Sequence, residues 1–220
     1  MKQSYSAGIA FVFEGETEKV FYHAMLKYFI TLHPQYNLEE KQDKNTGERF
    51  FILSSNENNI LIKQNNVGTV SQVSNSADWF HNRCYLGNKS IGWTVFLCYD
   101  TDSYCYDISK FQEGDWKALR STIEKHRDCQ VIDLAAQADI EDTLLLDAAG
   151  VFAYLEIPES PIPSGNKGKA KMKKIFRLKG RGSAYHEGER ARKLIESLDM
   201  KKIISNSSIP FSEIEKHCFL

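Results

Sequence analysis

Glu14 and Glu18 stand directly behind an apolar run, Gly8-Ile9-Ala10-Phe11-Val12-Phe13, in the string Glu14-Gly15-Glu16-Thr17-Glu18. Asp100 and Asp102 stand behind a second run, Trp93 to Tyr99, in the string Asp100-Thr101-Asp102. Glu141 and Asp142 follow a third apolar piece near 130–134. Short runs rich in Val, Ile and Phe predict buried strands of a parallel sheet. Open α/β sheets bind ligands at the carboxyl ends of such strands, where these acids fall. Carboxylates gathered at one edge repel one another by roughly 4 kcal/mol per close pair at an effective dielectric near 20. A divalent cation or retained protons relieve that repulsion, and for this many acids a cation is the better answer. Oxygen donors with no His or Cys beside them suit Mg²⁺ or Mn²⁺ rather than zinc. One or two such ions can clamp a phosphodiester and activate an attacking water. Each motif also has a plainer reading. A Glu at a helix start can serve the helix dipole, an Asp-x-Asp can be a solvated turn, and Asp139–Asp142 can be an acidic cap.

The elements that must position these acids follow from periodicity. Residues 7–13 predict the first strand. Residues 17–32 predict the first helix, with Val20, Phe21, Ala24, Met25, Tyr28, Phe29 and Leu32 on one face, Thr17 as N-cap and Pro34 past the end. Gly15 is expected to let the chain turn sharply between them. Short apolar pieces at 50–53, 60–63 and 67–73 offer one further parallel strand, with loops or a hairpin between them. A second helix is expected at 76–86, the central strand at 92–99, helices at 115–127 and 140–149, and a strand at 130–134. Three prolines mark 157–168 as a loop. A basic helix follows at 169–179, then a Gly-rich turn at 180–182 and a helix at 187–198. The expected architecture is an α/β domain, residues 1–156, with a parallel sheet of about four strands and helices on both faces. Residues 157–220 form a basic extension packed on it.

Bulk properties set the class. The chain has 220 residues, 42% of them hydrophobic and 26% charged, which describes an ordinary globular protein. No stretch approaches the roughly 20 apolar residues of a membrane span, and the N-terminal stretch is too short and acidic for a signal peptide. A cytoplasmic protein with no membrane partner is expected. Five scattered cysteines, with no Cys-x-x-Cys pair, predict reduced thiols. The net charge of −1 conceals an asymmetry. Residues 165–202 hold thirteen Lys or Arg against four Asp or Glu, and the remainder holds fifteen against twenty-five. A basic segment beside an acidic body suits a protein that holds cations in one place and a polyanion in another. Lys169, Lys171, Lys173, Lys174, Arg177, Lys179 and Arg181 are the candidate contacts to nucleic-acid phosphates, in a run that begins at Lys167.

The two acidic strings together resemble the Toprim domain shared by topoisomerases, bacterial primases and the overcoming-lysogenization-defect (OLD) nucleases. The form with both glutamates is similar to the OLD branch and to small stand-alone RloB-like proteins, including the Toprim effector of the PARIS anti-phage system. The resemblance covers about residues 7–149. Gly182-Ser183-Ala184-Tyr185-His186-Glu187-Gly188 and Ile209-Pro210-Phe211 resemble the tail of the stand-alone relatives, except that His186 stands near the place of a Lys. The resemblance implies that Glu14 is a metal ligand or acid–base group and that Asp100 and Asp102 are metal ligands. Glu18 and Glu141 would complete a two-metal arrangement, with Glu14, Glu18, Asp100 and Asp102 the catalytic set. It implies a Mg²⁺-dependent endonuclease for DNA or RNA, acting in anti-phage defence. The sequence holds no Gly-Lys-Ser/Thr, so any ATPase partner is a separate chain. The alternatives are a PIN-like ribonuclease, a receiver domain, and a non-cutting regulatory or nucleic-acid-binding subunit of a larger ATPase complex.

Overall fold

The computed structural model describes residues 4–68, 72–104 and 114–219. Six strands form one sheet in the order β2-β3-β4-β1-β5-β6. They are β1 (Ala7–Phe13), β2 (Asn37–Gln42), β3 (Arg49–Ser54), β4 (Asn59–Asn66), β5 (Gly92–Asp100) and β6 (Cys129–Ala136). The α/β class is as expected, but the sheet has six strands rather than about four. It is also mixed rather than parallel. β4, β1, β5 and β6 run parallel, whereas β2 and β3 add an antiparallel meander on one side. Here β4 supplies the further parallel strand, and β3 pairs with it as the other arm of a hairpin. The apolar piece expected at 67–73 falls partly outside the described residues.

Alternation along β1 divides the interior in two. Ile9, Phe11 and Phe13 face one core, and Ala10 and Val12 face the other. The first core is covered by α1 (Glu16–Leu32), by α4 (Ile140–Leu144) and α5 (Ala148–Tyr154), and by the C-terminal helices α6 (Gly168–Leu178), α7 (Arg192–Ser197), α8 (Met200–Asn206) and α9 (Ser212–Cys218). The second is covered by α2 (Asn75–Trp79), by the π-helical turn Phe80–Tyr85 that continues it, and by α3 (Gly114–Ile123). The helix expected at 76–86 is thus an α–π composite, and that expected at 140–149 is α4 and α5 joined by a 3₁₀ turn. Aromatic rings fasten the first core: Phe11 packs on Phe96 at 5.1 Å and on Phe13 at 5.6 Å between centroids. Among the described residues, no helix is long and apolar enough to cross a membrane.

Gly8 holds β1 and β5 in register. It lies opposite Trp93, whose indole occupies the space a side chain would need. A Cβ at position 8 would stand 2.5 Å from Trp93 Cδ2. Trp93 is 1% exposed and has no room to retreat. Gly8→Ala is therefore expected to cost about 1–3 kcal/mol by overpacking, read as a lowered melting temperature. An unchanged midpoint would show that the indole yields freely.

Candidate functional site

The parallel strands β1, β5 and β6 end on one side of the sheet, and the residues that follow them meet there. Their side chains line a cavity of about 810 Å³ that includes Glu14, Glu18, Asp100, Asp102, Asp139 and Glu141. Each acid arrives by a different local rule. Glu14 follows β1 and prolongs its pairing, since its N–H donates to Cys98 O at 2.9 Å. Its carboxylate reaches across to β5, where Asp100 N–H donates to Glu14 Oε2 at 3.1 Å. Glu18 lies in the first turn of α1, near the positive end of the helix. Asp139 caps α4 by accepting from Asp142 N–H, which places Glu141 in that helix's first turn.

Two local expectations are corrected. Gly15, not Thr17, is the N-cap of α1, and its φ of −141° is ordinary extended backbone. Its glycine serves space instead, because a Cβ there would lie 2.9 Å from Glu18 Oε2. Thr17 instead ties the C-terminal segment to α1, since its Oγ1 accepts from Gly188 N–H at 2.9 Å.

Electrostatics set the acids apart. Burial, then the charges of Glu18, Glu14, Glu141 and Asp139, push the Asp100 carboxyl up to about 10. Burial raises Glu18 to about 7, with Glu14 and Glu141 adding to the rise. Burial and Asp139 raise Glu141 to about 7, against the Tyr185 hydroxyl that donates to its Oε1 at 2.9 Å. Burial also raises Glu14, partly opposed by the Asp100 N–H. Asp100 Oδ1 is buried with no hydrogen-bond partner. A buried acceptor left unmatched costs about 1–3 kcal/mol. Among the described residues, no group of three or more His, Cys, Asp or Glu stands close enough together, as the side chains lie, to hold a metal ion. Ion binding would therefore draw these carboxylates inward.

The structure separates the remaining candidates. Asp102 is in the left-handed region at φ 58° and lies at the rim, where Lys167 pairs with it. Asp142 turns away from the acids to bind Lys171 at 2.6 Å and Gly168 N–H at 2.7 Å. Of the basic run, Lys169 pairs with Glu187 at 2.6 Å, Lys174 donates to Ser164 O at 2.6 Å, and Lys179 lies 3.8 Å from Glu156. Lys173 and Arg177 are exposed on α6, and Arg181 is exposed in the turn beyond it. Sequence reasoning missed that Lys167, Lys169 and Lys173 line the acid cavity. It also missed that Asp139 accepts from the N–H groups of Gly168 and Lys169, both at 3.0 Å. The excess of thirteen basic residues against four acids in 165–202 was the available signal.

No family model and no curated protein matches the chain. Among solved structures, it is similar to a futalosine hydrolase mutant of Helicobacter pylori strain 26695, at 9% identity over 98% of this chain and 95% of that one, with a TM-score of 0.28. It is similar to the 5′-methylthioadenosine/S-adenosylhomocysteine nucleosidase of Helicobacter pylori, at 13% identity over 92% and 99%, with a TM-score of 0.29. The corresponding nucleosidase of Campylobacter jejuni shows 11% identity over 96% and 98%, also at 0.29. These findings correct the expected family: the similar structures are nucleosidases and a futalosine hydrolase rather than Toprim nucleases. The endonuclease activity and anti-phage setting fall with it, as do the PIN-like and regulatory-subunit alternatives. TM-scores of 0.28 and 0.29 are too low to carry an activity over to this chain.

The raised carboxyls make stability depend on pH. Each holds its proton more tightly in the folded chain, so its contribution is complete below the unfolded value near 4 and is lost as pH rises. For Glu18 and Glu141 the loss passes through about 7, and for Asp100 through about 10. In chelator, the melting temperature is expected to fall between about pH 6 and about pH 9. Asp100→Asn should raise it at the alkaline end and flatten the slope. Identical slopes in the two proteins would mean that Asp100 is charged in the folded chain.

Proposed function

We propose that this chain is a hydrolase whose carboxylate cluster works with a divalent cation, Mg²⁺ or Mn²⁺, on an anionic substrate. Asp100 carries the reading. Its Oδ1 is buried without a partner, and burial together with the surrounding acids pushes its carboxyl up to about 10. Protonation would relieve the repulsion, and a cation would both relieve it and satisfy the oxygen. Glu14, Glu18, Asp100 and Glu141 would hold the ion, with Asp102 available at the rim once Lys167 lets go. When bound, the ion supplies Lewis acidity toward an oxyanion of the substrate.

The chain's own residues do the rest. Tyr185 fixes Glu141 through its hydroxyl, and the Asp100 N–H fixes Glu14, so two of the carboxylates are oriented in advance. Lys167, Lys169 and Lys173 line the same cavity and meet the substrate's negative charge. Their present partners, Asp102 for Lys167 and Glu187 for Lys169, are exposed carboxylates that yield at little cost.

One observation favours a second reading. Glu18 and Glu141 share the cavity, and both are poised at about 7. Such a pair can act as general acid and general base without an ion, chemistry that suits glycosidic bonds. Calorimetric titration with Mn²⁺ and with Mg²⁺ separates the two. The expected result is binding that raises the melting temperature and weakens at least about tenfold, or about 1.4 kcal/mol, in Glu14→Gln and Asp100→Asn. No heat and no thermal shift with either ion would leave the acid–base pair.

A further inference from the structure

A second cavity, of about 490 Å³, lies behind α1 and away from the acids, between that helix, β2–β4 and the start of α7. Its size is that of a small-molecule pocket. Its lining is mixed in character. His23 stands edge-on to Phe51 with ring centroids 5.2 Å apart, and His23 Nε2 lies 2.8 Å from Gln64 Oε1. Burial lowers the His23 pKa, with Lys19 and Arg192 adding to the fall, against the bond to Gln64. Facing a carbonyl oxygen, His23 Nε2–H is the donor to Gln64 Oε1. Gln64 Nε2 is buried with no partner. A half-turn of the amide exchanges its two ends and leaves its oxygen unmatched instead. One end of this amide is therefore unsatisfied in either orientation, at a cost of about 1–3 kcal/mol.

The rim carries the opposite character. Lys19, Lys27, Arg49 and Arg192 line the opening. Their carboxylate partners Glu16, Glu196, Glu40 and Glu189 are 35–54% exposed, so Lys19, Lys27 and Arg49 can exchange a partner for a ligand at little cost. Arg192, bound to Glu189 and near Glu196, must give up a firmer pair. Glu40, Glu48 and Glu189 line the same cavity. The guanidinium of Arg192 already forms a two-pronged bond to Glu189, 2.7 Å at each prong, the geometry that also suits a phosphate.

We propose that this cavity binds a nucleoside monophosphate. The Phe51 ring offers a flat face to a base, the buried Gln64 amide would read the base's polar edge once it turns toward the cavity, and the cations at the mouth would take the phosphate. Lys19 is bonded to Glu16, which lines the acid cavity, and Glu18 lies on the same turn of α1. The bound nucleotide therefore sits one helical turn from the carboxylates without touching them.

The test is a thermal-shift and calorimetric titration of the whole chain, in chelator, with AMP, GMP, CMP and UMP. At least one is expected to bind with a dissociation constant below about 1 mM, or about −4.1 kcal/mol. Its nucleoside is expected to bind at least tenfold more weakly. Gln64→Leu and, separately, Arg192→Gln should each weaken binding at least tenfold, while Glu14→Gln should leave it unchanged. The Leu variant removes the unmatched amide end but also deprives His23 Nε2–H of its acceptor, so a modest fall in melting temperature is expected. Should it unfold, the Arg192 variant carries the same readout. Failure of all four nucleotides to bind, or binding that survives both rim and floor variants, would overturn the proposal. So would loss of binding in Glu14→Gln, which would place the nucleotide among the acids. Cation binding at the acids is measured separately, so the failure of either proposal leaves the other readable.

Discussion

The constraint on which the rest depends is the gathering of carboxylates at the carboxyl edge of β1, β5 and β6. Parallel pairing leaves no choice in the matter. Phe13 lies opposite Cys98, and Asp100 lies opposite Ala136, so the residues after each strand emerge together. Three of these acids, Glu18, Asp139 and Glu141, are 4–6% exposed. A like-charged pair there costs roughly 4 kcal/mol at 4 Å and an effective dielectric near 20. That is a large share of the roughly 5–15 kcal/mol by which a typical domain is stable. The fold manages the cost in three ways: burial and crowding favour the protonated form of Asp100, N–H groups are aimed at Glu14 and Asp139, and lysines stand at the rim.

The burial of α1 against two sides of the molecule explains why this edge is so firmly built. Thr17 Oγ1 holds Gly188, and Phe21 and Tyr22 pack against Phe211, so the last third of the chain braces the helix that carries Glu18. Gly188 itself has φ 65° and lies against Glu16, where a Cβ would approach to 3.1 Å. The Tyr185 hydroxyl, from the same stretch, reaches Glu141. The C-terminal segment thus touches the acid cavity from its far wall. It orients Glu141 directly and braces the helix that carries Glu18.

The sequence made this edge legible because its signals were local. β1, α1 and β5 carry strong apolar patterns, and the acids follow them at once. β2 was invisible for a physical reason: Asn37–Gln42 is an edge strand exposed along most of its length, so it has no apolar face to alternate. β3 and β4 were seen as apolar pieces, but their pairing depends on a partner that periodicity cannot name. Gly15 was legible as a requirement and illegible in its cause, since only the position of Glu18 shows that space rather than backbone freedom is needed. The crowding of the acids was expected, with a cation as its better remedy, whereas the role of Asp139 in holding α6 required the tertiary structure.

The charge asymmetry of the chain takes a different meaning in three dimensions. A basic helix following an acidic body first suggests a free surface for a polyanion. Instead, the positive end of α6 is inserted against the acidic edge. Asp139 accepts from the N–H groups of Gly168 and Lys169, and Asp142 accepts from Gly168 and binds Lys171. The approach is close enough that a Cβ on Gly168 would stand 2.1 Å from Asp142 N, so only glycine admits the helix here. Helix dipole and side-chain charge act in the same direction at this contact. Lys167, Lys169 and Lys171 are therefore counterions to the acids, while Lys173, Lys174, Arg177, Lys179 and Arg181, and beyond them Arg190, Lys193, Lys201 and Lys202, remain exposed. The acid cavity thus presents carboxylates and lysines side by side, and under the divalent-ion reading proposed above its ligand would be an anion that arrives with its own cation.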